Sequence, residues 1–407
     1  MVNHALRPAP VIALVTALAA VLAGTTGVGA AGPQSVPQSG PIRTIVEAIL
    51  PKITLPPGFH IEVFAIVPGA RQIAVSPTGK TVVVGAWRNP PHVVDATATT
   101  AERLVIPLAA SRSYRVPNGV CFAPDGTLYL AEANAITAFP DIEAHRTEPA
   151  PPAKAIVANG ALVPPAEIGG AHSARVCKVG PDNRLYVAVG QPYNVPPKSK
   201  QDRYRRLGLG GILRMDRDGK DREVFATGIR NSVGLDFNPT DGTLWFTDNQ
   251  VDLMGDDIPP GEMNRADKPG LDFGFPWYGG GHTRTHEYAG DSPPADVVFP
   301  EAEMVAHAAD LGLTFYRGTA FPPDYRGGIY SAQHGSWNRS VPVGARVMFT
   351  PIKPDGHAGE PRPFAEGWKT PSGGYLGRPV DLAELPDGSL LVSDDRNGAL
   401  YRIWYAP

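Results

Sequence analysis

Short apolar runs alternate with tight polar turns along this chain, and one strand–turn–strand pattern recurs through most of its length. Its clear copies begin at Gln72, Gly119, Arg175, Val233 and Val380, and each turns through a Pro-Asp-Gly-like segment. A looser sixth copy begins at Leu313 and has a longer turn around residues 322–328. Apolar runs with a period of two on both sides of such turns predict β-hairpins.

The turn prolines indicate the size of the repeating unit. They lie at positions 77, 124, 181, 239, 322 and 386, with separations of 47, 57, 58, 83 and 64 residues. Each separation leaves room for four strands and their loops, which is the size of a propeller blade. We therefore predict an all-β fold for residues 42–407: a six-bladed β-propeller of four-stranded antiparallel blades. Separate sandwiches are disfavoured because one hairpin recurs throughout, and residues 42–50 are the one short helical candidate.

A propeller would bring the polar ends of these strands to one face of the molecule. The innermost strands begin at Arg71-Gln72, Pro117-Asn118, His172, Arg230-Asn231, Asp310-Leu311 and Arg378-Pro379. The strands that follow them end at Trp87-Arg88, Glu132, Gln191, Asp248-Asn249-Gln250, His334 and Asp394-Asp395. A scaffold alone does not need so many charged groups on one rim, so this rim is predicted to bind a ligand or to catalyse a reaction.

The N-terminus has the pattern of a secretory signal peptide. Basic residues precede an apolar run over residues 11–23, and small residues follow it up to Ala30. The run is shorter than the roughly 20 apolar residues that span a bilayer. We therefore predict a signal peptide at residues 1–30, a flexible spacer at 31–41 and a periplasmic or secreted protein without stable membrane insertion after cleavage.

The two cysteines, Cys121 and Cys177, are expected to be buried free thiols. Cys121 lies three residues before its turn proline, whereas Cys177 lies four residues before its own. If the two strands are equivalent, the side chains should point to opposite faces.

Composition narrows the range of partners. The formal net charge is −3, and Gly and Pro supply 45 and 44 of the 407 residues. Binding to nucleic-acid phosphates relies on clustered Lys and Arg, so no nucleic-acid partner is expected. HExxH, CxxC, GxSxG and Gly-rich phosphate loops are absent from the sequence, which leaves nucleotide, zinc and serine-nucleophile chemistry without support.

The rim nevertheless carries candidate chemistry. His172 could act as a general base, although a structural histidine is the alternative. Arg230-Asn231 supplies a guanidinium fork and an amide that suit a carboxylate or a polarised carbonyl, and Arg378 and Arg339 suggest that the ligand is a polyanion. The acidic loop, with Asp252, Asp256, Asp257 and Glu262, could bind calcium or could simply face water.

Four segments together resemble one enzyme family. They read GAHSARVCKVGPDNRLYVAVGQ, TGIRNSVGLDFNPTDGTLWFTDNQVDLMGDDIPPGEMN with FGFPW, LTFYRGTAFPPDYRGGIYSAQHGSWNR, and GRPVDLAELPDGSLLVSDDRNGALYRI. They are similar to the soluble pyrroloquinoline quinone (PQQ)-dependent glucose/sorbosone dehydrogenases, most closely the sorbosone dehydrogenase branch. They cover most of residues 165–405. Residues 42–160 share with this family only the recurring strand–turn–strand pattern.

The resemblance implies a propeller that holds PQQ over the channel mouth, with calcium beside the quinone. His172 matches the catalytic base that takes the proton of the sugar hydroxyl while hydride passes to the quinone. The implied cofactor contacts are Arg230, Asn231, Asn249, His334, Arg339 and Arg378. Main-chain carbonyl groups near Gln250 and Val251 are the implied calcium ligands.

Two features differ from the glucose enzymes of this family. Gln333-His334 stands where they carry a cofactor-binding lysine, with Arg339 nearby as a substitute, and the insertion DIPPGEMN lengthens the acidic loop. The leading hypothesis is an exported PQQ- and calcium-dependent dehydrogenase of an aldose or a keto-aldehyde sugar such as sorbosone. It would pass electrons to a separate acceptor, a quinone or a cytochrome. A calcium-dependent propeller lactonase and a non-catalytic carbohydrate- or protein-binding propeller are the alternatives, and the arginine-rich rim favours the dehydrogenase.

Overall fold

The structure, a computed structural model, describes residues 34–407 and confirms the predicted six-bladed β-propeller. The predicted signal peptide, residues 1–30, lies outside the described residues. Three short helices accompany the strands: α1 (Pro41–Glu47), α2 (Ile142–His145) and α3 (Gln201–Leu207). The first overlaps the predicted helical candidate, residues 42–50. The other two are only one or two turns long, lie in loops within the second and third blades, and were not predicted.

The six blades follow one another along the chain, and each is an antiparallel sheet of four strands. The strand that completes the last blade comes first in the chain and is β1 (Phe59–Ile66). The first three blades contain β2 (Ala70–Val75), β3 (Thr81–Ala86), β4 (His92–Asp95) and β5 (Val105–Pro107); β6 (Gly119–Phe122), β7 (Leu128–Glu132), β8 (Ala135–Phe139) and β9 (Lys154–Val157); and β10 (Val176–Val179), β11 (Leu185–Val189), β12 (Gly211–Met215) and β13 (Glu223–Thr227).

The remaining blades contain longer loops between their strands. The fourth contains β14 (Leu235–Phe237), β15 (Leu244–Asp248), β16 (Gly261–Ala266) and β20 (Ala302–Met304), and between the last two lie β17 (Leu271–Asp272), β18 (Tyr278–Gly280) and β19 (Thr283–Arg284). Strand β17 adds to the third blade in parallel, and β18 and β19 form a separate two-stranded sheet. The last two blades contain β21 (Asp310–Phe315), β22 (Ile329–Gln333), β23 (Arg346–Thr350) and β24 (Arg362–Ala365); and β25 (Pro379–Glu384), β26 (Leu390–Asp394), β27 (Ala399–Tyr405) and β1.

The two ends of the described chain close the ring within one blade. Strand β1 pairs with β27 in antiparallel register, from Phe59 opposite Tyr405 to Ile66 opposite Ala399. This pairing leaves the first and last blades joined through backbone hydrogen bonds, so the ring cannot open without breaking a ladder. Closure of this kind protects sheet edges, which otherwise attract other chains.

The first strand of each blade lies innermost, where neighbouring blades meet. Their backbones approach closely: a Cβ atom at Gly312 in β21 would lie 1.9 Å from the Asp381 Oδ1 atom of β25. Apolar side chains fill the wedges between blades, and the cluster between the second and third blades includes Tyr129, Val187 and Leu213. The ring therefore has a packed core between neighbouring sheets. Residues of all six innermost strands, including Gln72, Lys178 and Asp381, line a cavity at its axis.

The expectation of two free thiols is wrong, because Cys121 and Cys177 form a disulfide. Cys121 lies opposite Tyr129 in the second blade, and Cys177 lies opposite Val187 in the third. In these equivalent hairpins the two cysteine side chains therefore point to opposite faces of their sheets, as predicted. However, blades are stacked face to face around the ring. A side chain from the leading face of one sheet meets a side chain from the trailing face of the next, so opposite facing brings the two sulfur atoms together.

Part of the predicted spacer, residues 31–41, is anchored to the propeller. The Val36 amide donates to the Val105 carbonyl oxygen at 2.7 Å. The buried Gln38 amide donates to the Ile66 carbonyl oxygen at 3.0 Å and accepts from the Ile66 amide at 2.8 Å. Among the described residues, none of the helices is both long and apolar enough to cross a membrane.

Candidate active site

The polar residues predicted for one rim do lie together. In each blade the start of the first strand pairs with the end of the second, as Gly119 does with Ala131, Asp310 with Gln333 and Pro379 with Asp394. Residues just before the first strand therefore meet residues just after the second. The six blades thus bring their polar ends to the same mouth of the central channel.

His172 lies in the loop before β10 and is only 9% exposed. Its Nδ1 atom lies 2.7 Å from the Gln191 carbonyl oxygen, which can only accept, so Nδ1 carries the hydrogen. The pKa of His172 is lowered to about 3 by burial and by the charges of Arg230 and Arg175. The hydrogen bond to Gln191 acts in the opposite direction but is outweighed. The imidazole is therefore neutral at physiological pH, and its Nε2 lone pair is available to accept a proton.

Gly190 lies between His172 and Asn231. A Cβ atom at Gly190 would lie 2.4 Å from the Asn231 Oδ1 atom and 2.9 Å from the His172 Cβ atom. Only glycine allows these two side chains to approach in this way. The Asn231 Oδ1 atom is buried and has no hydrogen-bond partner in the part of the chain that the structure describes.

The guanidinium group of Arg230 is held by two loops. It donates to the Asn194 side-chain oxygen at 2.8 Å, to the Asp252 carboxylate at 2.7 Å and to the Asn249 carbonyl oxygen at 3.2 Å. The Asp248 carboxylate accepts the backbone N–H groups of Arg230 and Asn231 at 2.8 and 2.7 Å. These contacts fix the direction of the Arg230–Asn231 pair before any ligand binds.

The residues after β15 provide oxygen atoms beside this pair. The Asn249 amide donates to the carbonyl oxygens of Asn231 and Asp310, at 3.2 and 3.0 Å, and so links two blades. The Val251 amide donates to the Gly279 carbonyl oxygen at 2.7 Å. The Gln250 Oε1 atom is buried without a partner among residues 34–407. Unpaired oxygen atoms of this kind are the ligands that calcium prefers, so the position fits the expected metal.

Arg378 and His334 lie at the opposite side of the mouth. The Arg378 guanidinium donates to the carbonyl oxygens of His334 and Gly335, at 3.0 and 2.6 Å. His334 Nε2 donates to the Asp395 carboxylate at 2.8 Å, and Arg71 donates to the same carboxylate at 2.5 Å. Burial would raise the pKa of Asp395, but His334, and then Arg71 and Arg378, outweigh it and lower the pKa to about 2. Asp395 is therefore ionised and holds the Arg71 guanidinium and the His334 ring in place, although burial lowers the pKa of His334 itself.

Arg339 lies beside the acidic loop. Its guanidinium donates to the Asp257 carboxylate at 3.2 Å, to the Ala306 carbonyl oxygen at 3.3 Å and to the Asp256 carbonyl oxygen. These hydrogen-bond partners of the Arg339 guanidinium come from the acidic loop and from Ala306, and none of them is another expected cofactor residue. Its role as a cofactor contact stays a prediction.

The four acidic residues of the predicted acidic loop do not form one cluster. Asp252 pairs with Arg230, and the Asp257 side chain is 91% exposed. Glu262 is buried in β16 opposite Asp248, where burial and the Asp248 charge raise its pKa to about 8. Within the described residues there is no group of three or more His, Cys, Asp or Glu side chains placed to hold a metal ion.

Three residues of this site were not singled out by the sequence analysis. Asn194 braces Arg230, Gly190 allows the approach of His172 to Asn231, and His307 contacts the side chain of Gln250 at 3.0 Å. None belongs to the recurring hairpin ends, since Asn194 lies in the loop between β11 and β12 and His307 in the loop between β20 and β21. Gly190 directly precedes Gln191, which was a predicted strand end. This position next to the rim was the one signal in the sequence that could have identified Gly190 as part of the site.

A family model matches part of this chain. Residues 162–334 match the family model for Glucose / Sorbosone dehydrogenase. This segment contains every predicted site residue except Arg339 and Arg378. The match confirms the resemblance to glucose/sorbosone dehydrogenases over this segment, and the sorbosone branch stays a prediction.

The sequence relatives are themselves described as uncharacterized. A protein of Borreliella burgdorferi is 37% identical over 239 residues, which make up 58% of this chain and 61% of that protein. A protein of Synechocystis is 27% identical over 229 residues, or 46% of this chain and 53% of that protein. The matched region thus spans less than two thirds of either relative.

Solved structures share the fold at low sequence identity. The calcium structure of a Trichoderma reesei carbohydrate-active enzyme of family AA12 is similar with a TM-score of 0.70 at 20% identity, over 87% of this chain and 97% of that chain. The holo form of the pyranose dehydrogenase PQQ domain from Coprinopsis cinerea gives 0.66 at 18%, over 86% and 97%. The soluble aldose sugar dehydrogenase from Escherichia coli in its apo-form gives 0.61 at 16%, over 86% and 100%.

Proposed function

We propose that this chain is an exported PQQ- and calcium-dependent oxidoreductase that oxidises an aldose or a keto-aldehyde sugar such as sorbosone. The observation that carries the proposal is the neutral His172, whose Nδ1–H donates to the Gln191 carbonyl oxygen and whose Nε2 atom has no hydrogen-bond partner among the described residues. The matched family model supports a sugar dehydrogenase. The names of the solved structures with this fold, a PQQ domain and an aldose sugar dehydrogenase, agree with it.

The chemistry of the rim fits a polyanionic quinone. Arg378 is cationic, and two of its nitrogen atoms are occupied by main-chain carbonyl oxygens, which leaves guanidinium N–H groups for a carboxylate. Arg230 and Asn231 lie across the mouth with their backbones fixed by Asp248. We expect Arg378 to bind cofactor carboxylates, Arg230 and Asn231 to contact quinone oxygens, and Asn249, His334 and Arg339 to complete the cradle.

The residues of the chain would divide the remaining work. His172 Nε2 would accept the proton of the sugar hydroxyl, and the Gln191 carbonyl oxygen would hold the opposite ring nitrogen while the imidazolium exists. Burial and the positive charge of Arg230 disfavour that imidazolium, so the proton would leave readily for solvent. Gln250 and Val251 would hold calcium through their main-chain carbonyl oxygens. When bound, PQQ with calcium would supply the hydride acceptor.

Reconstitution of the purified protein tests this proposal. Protein without cofactor is mixed with PQQ and calcium and assayed for reduction of an artificial dye with a panel of aldoses and sorbosone. We expect a shift of the quinone absorbance on binding and sugar-dependent dye reduction that needs both additions. A parallel lactone hydrolysis assay examines the alternative enzyme class. If the mixture shows no shift of the quinone absorbance and no dye reduction with any sugar, the dehydrogenase is excluded.

A separate quinone or cytochrome would reoxidise the cofactor, and the same reconstituted protein can be tested with each in place of the dye. Export is tested by fractionation of cells that express the full chain, with the mature N-terminus expected after Ala30 or Ala31.

A further inference from the structure

A buried histidine just before β21 connects three loops at the rim. His307 is 1% exposed and has a φ angle of 62°, which is uncommon for a residue other than glycine. Its Nε2 atom lies 2.8 Å from the Gly255 carbonyl oxygen and 2.9 Å from that of Ile258. Its Nδ1 atom lies 3.0 Å from Gln250 Nε2 and 3.2 Å from Asn338 Nδ2. No predicted role accounts for this residue.

These partners determine which ring nitrogen of His307 carries the hydrogen. Carbonyl oxygens only accept, so Nε2 must donate to Gly255 and Ile258. In the neutral ring Nδ1 is then an acceptor, and the two amide NH₂ groups of Gln250 and Asn338 are matched donors. All four contacts are consistent with one tautomer.

This tautomer also fixes the orientation of the Gln250 side chain. Rotating the amide by half a turn would place Oε1 against the Nδ1 lone pair, where two acceptors would face each other. With the NH₂ group held by His307, Oε1 points away from the ring, and it is buried with no partner among the described residues. Gln250 also borders a void of about 10 Å³ together with Asp248, Glu262 and Gly280. A void of this size holds about one water-sized particle.

We infer that His307 is a positioning residue, which orients the Gln250 amide so that its Oε1 atom serves as a side-chain ligand of the bound calcium ion. The inference rests on the proposed function, which places calcium at Gln250 and Val251 through their main-chain oxygens. It adds a third oxygen from the chain and explains why a buried carbonyl oxygen lacks a partner. The same ring joins Gln250 to the loops at Gly255 and Asn338, so the metal position and the wall of the mouth are connected.

Calcium binding to the protein without PQQ tests this role independently of turnover. Titration calorimetry with calcium chloride compares wild type with Gln250→Met, His307→Leu and His307→Asn. Gln250→Met removes the ligand and His307→Leu removes the acceptor that orients it, so each should weaken calcium binding about 10- to 100-fold. The two effects should not add in the double variant. His307→Asn should bind calcium nearly as wild type does, because asparagine tolerates a positive φ angle and offers an acceptor oxygen.

A matched control uses the second donor to His307. Asn338→Ala removes the other hydrogen bond to Nδ1 but leaves Gln250 in place, so calcium affinity should be retained. Should His307→Leu fail to fold by circular dichroism, the pair Gln250→Met and His307→Asn still decides the question, since only the first should lose calcium affinity.

Four results would overturn the inference. If Gln250→Met binds calcium as wild type does, Oε1 is not a ligand. If folded His307→Leu keeps full affinity, or His307→Asn loses as much as the leucine variant, the ring does not orient the amide. If wild type with a normal quinone shift and dye reduction binds no calcium, the inference and the metal part of the proposed function both fail, while the dehydrogenase itself stands.

Discussion

Removal of the Cys121–Cys177 disulfide should destabilise the propeller by about 4 kcal/mol. The bond joins the innermost strands of the second and third blades and closes a loop with a sequence separation of 56 residues. Closing a loop of that length lowers the entropy of the unfolded chain, and the loop-entropy relation gives about 4 kcal/mol of stabilisation at 25 °C. Cys121 and Cys177 are 3% and 0% exposed, so replacing either by alanine also removes buried contacts. The cost should therefore not fall below that value.

Equilibrium unfolding in urea, followed by tryptophan fluorescence, measures this cost for Cys121→Ala, Cys177→Ala and the double variant. Either single change breaks the whole bond, so each single variant should lose nearly as much free energy of unfolding as the double. Thiol titration of denatured, unreduced wild type should find no free thiol. Two free thiols in that titration, or single-variant losses that add up to the double-variant loss, would refute the reasoning.

The other predictions concern the rim. His172→Ala should lower kcat about 100-fold or more while PQQ still binds, because the general base is lost; dye reduction and an absorbance titration with PQQ measure the two. Since the pKa of His172 is lowered to about 3, the base stays neutral as the pH falls, so kcat/KM should show no acid limb near pH 6.5. Gly190→Ala should lower kcat, because its Cβ atom would displace Asn231 and His172, without changing the circular dichroism spectrum. Arg378→Ala should weaken PQQ binding by roughly 10- to 100-fold in an absorbance titration, the effect of losing charged hydrogen bonds.

Each of these predictions has a matched control or an excluding result. Gly170→Ala lies in the same loop as His172 with no atom within 4 Å of the added Cβ, so it should keep full activity, and equal losses at Gly170 and Gly190 would contradict the steric argument. Arg378→Lys keeps the charge and should recover part of the PQQ affinity lost in the alanine variant. An unchanged kcat in His172→Ala would remove His172 from the base role, whereas an acid limb with a midpoint near 6.5 would contradict the lowered pKa of its imidazole.

Several features of this protein follow from local sequence alone. The hairpins that begin near Gln72, Gly119 and Val380 are visible because alternating apolar residues and Pro-x-Gly turns act over about ten residues of chain. Their number and spacing were enough to predict six blades of four strands. The positions of His172 and Arg230 at one mouth then followed, since every blade begins its innermost strand at the same end.

Contacts between blades and loops could not be obtained in this way. Whether Cys121 meets Cys177 depends on the stacking of two sheets, and opposite facing within each hairpin proved to be the condition for the bond. The bracing of Arg230 by Asn194, and the tautomer of His307 that orients Gln250, join residues more than 30 positions apart. Local sequence therefore determined the blades and the residues at their ends. Only the tertiary structure decided which atoms of those residues are held, which remain free and which face a neighbouring blade, because those choices depend on packing between segments that local patterns do not connect.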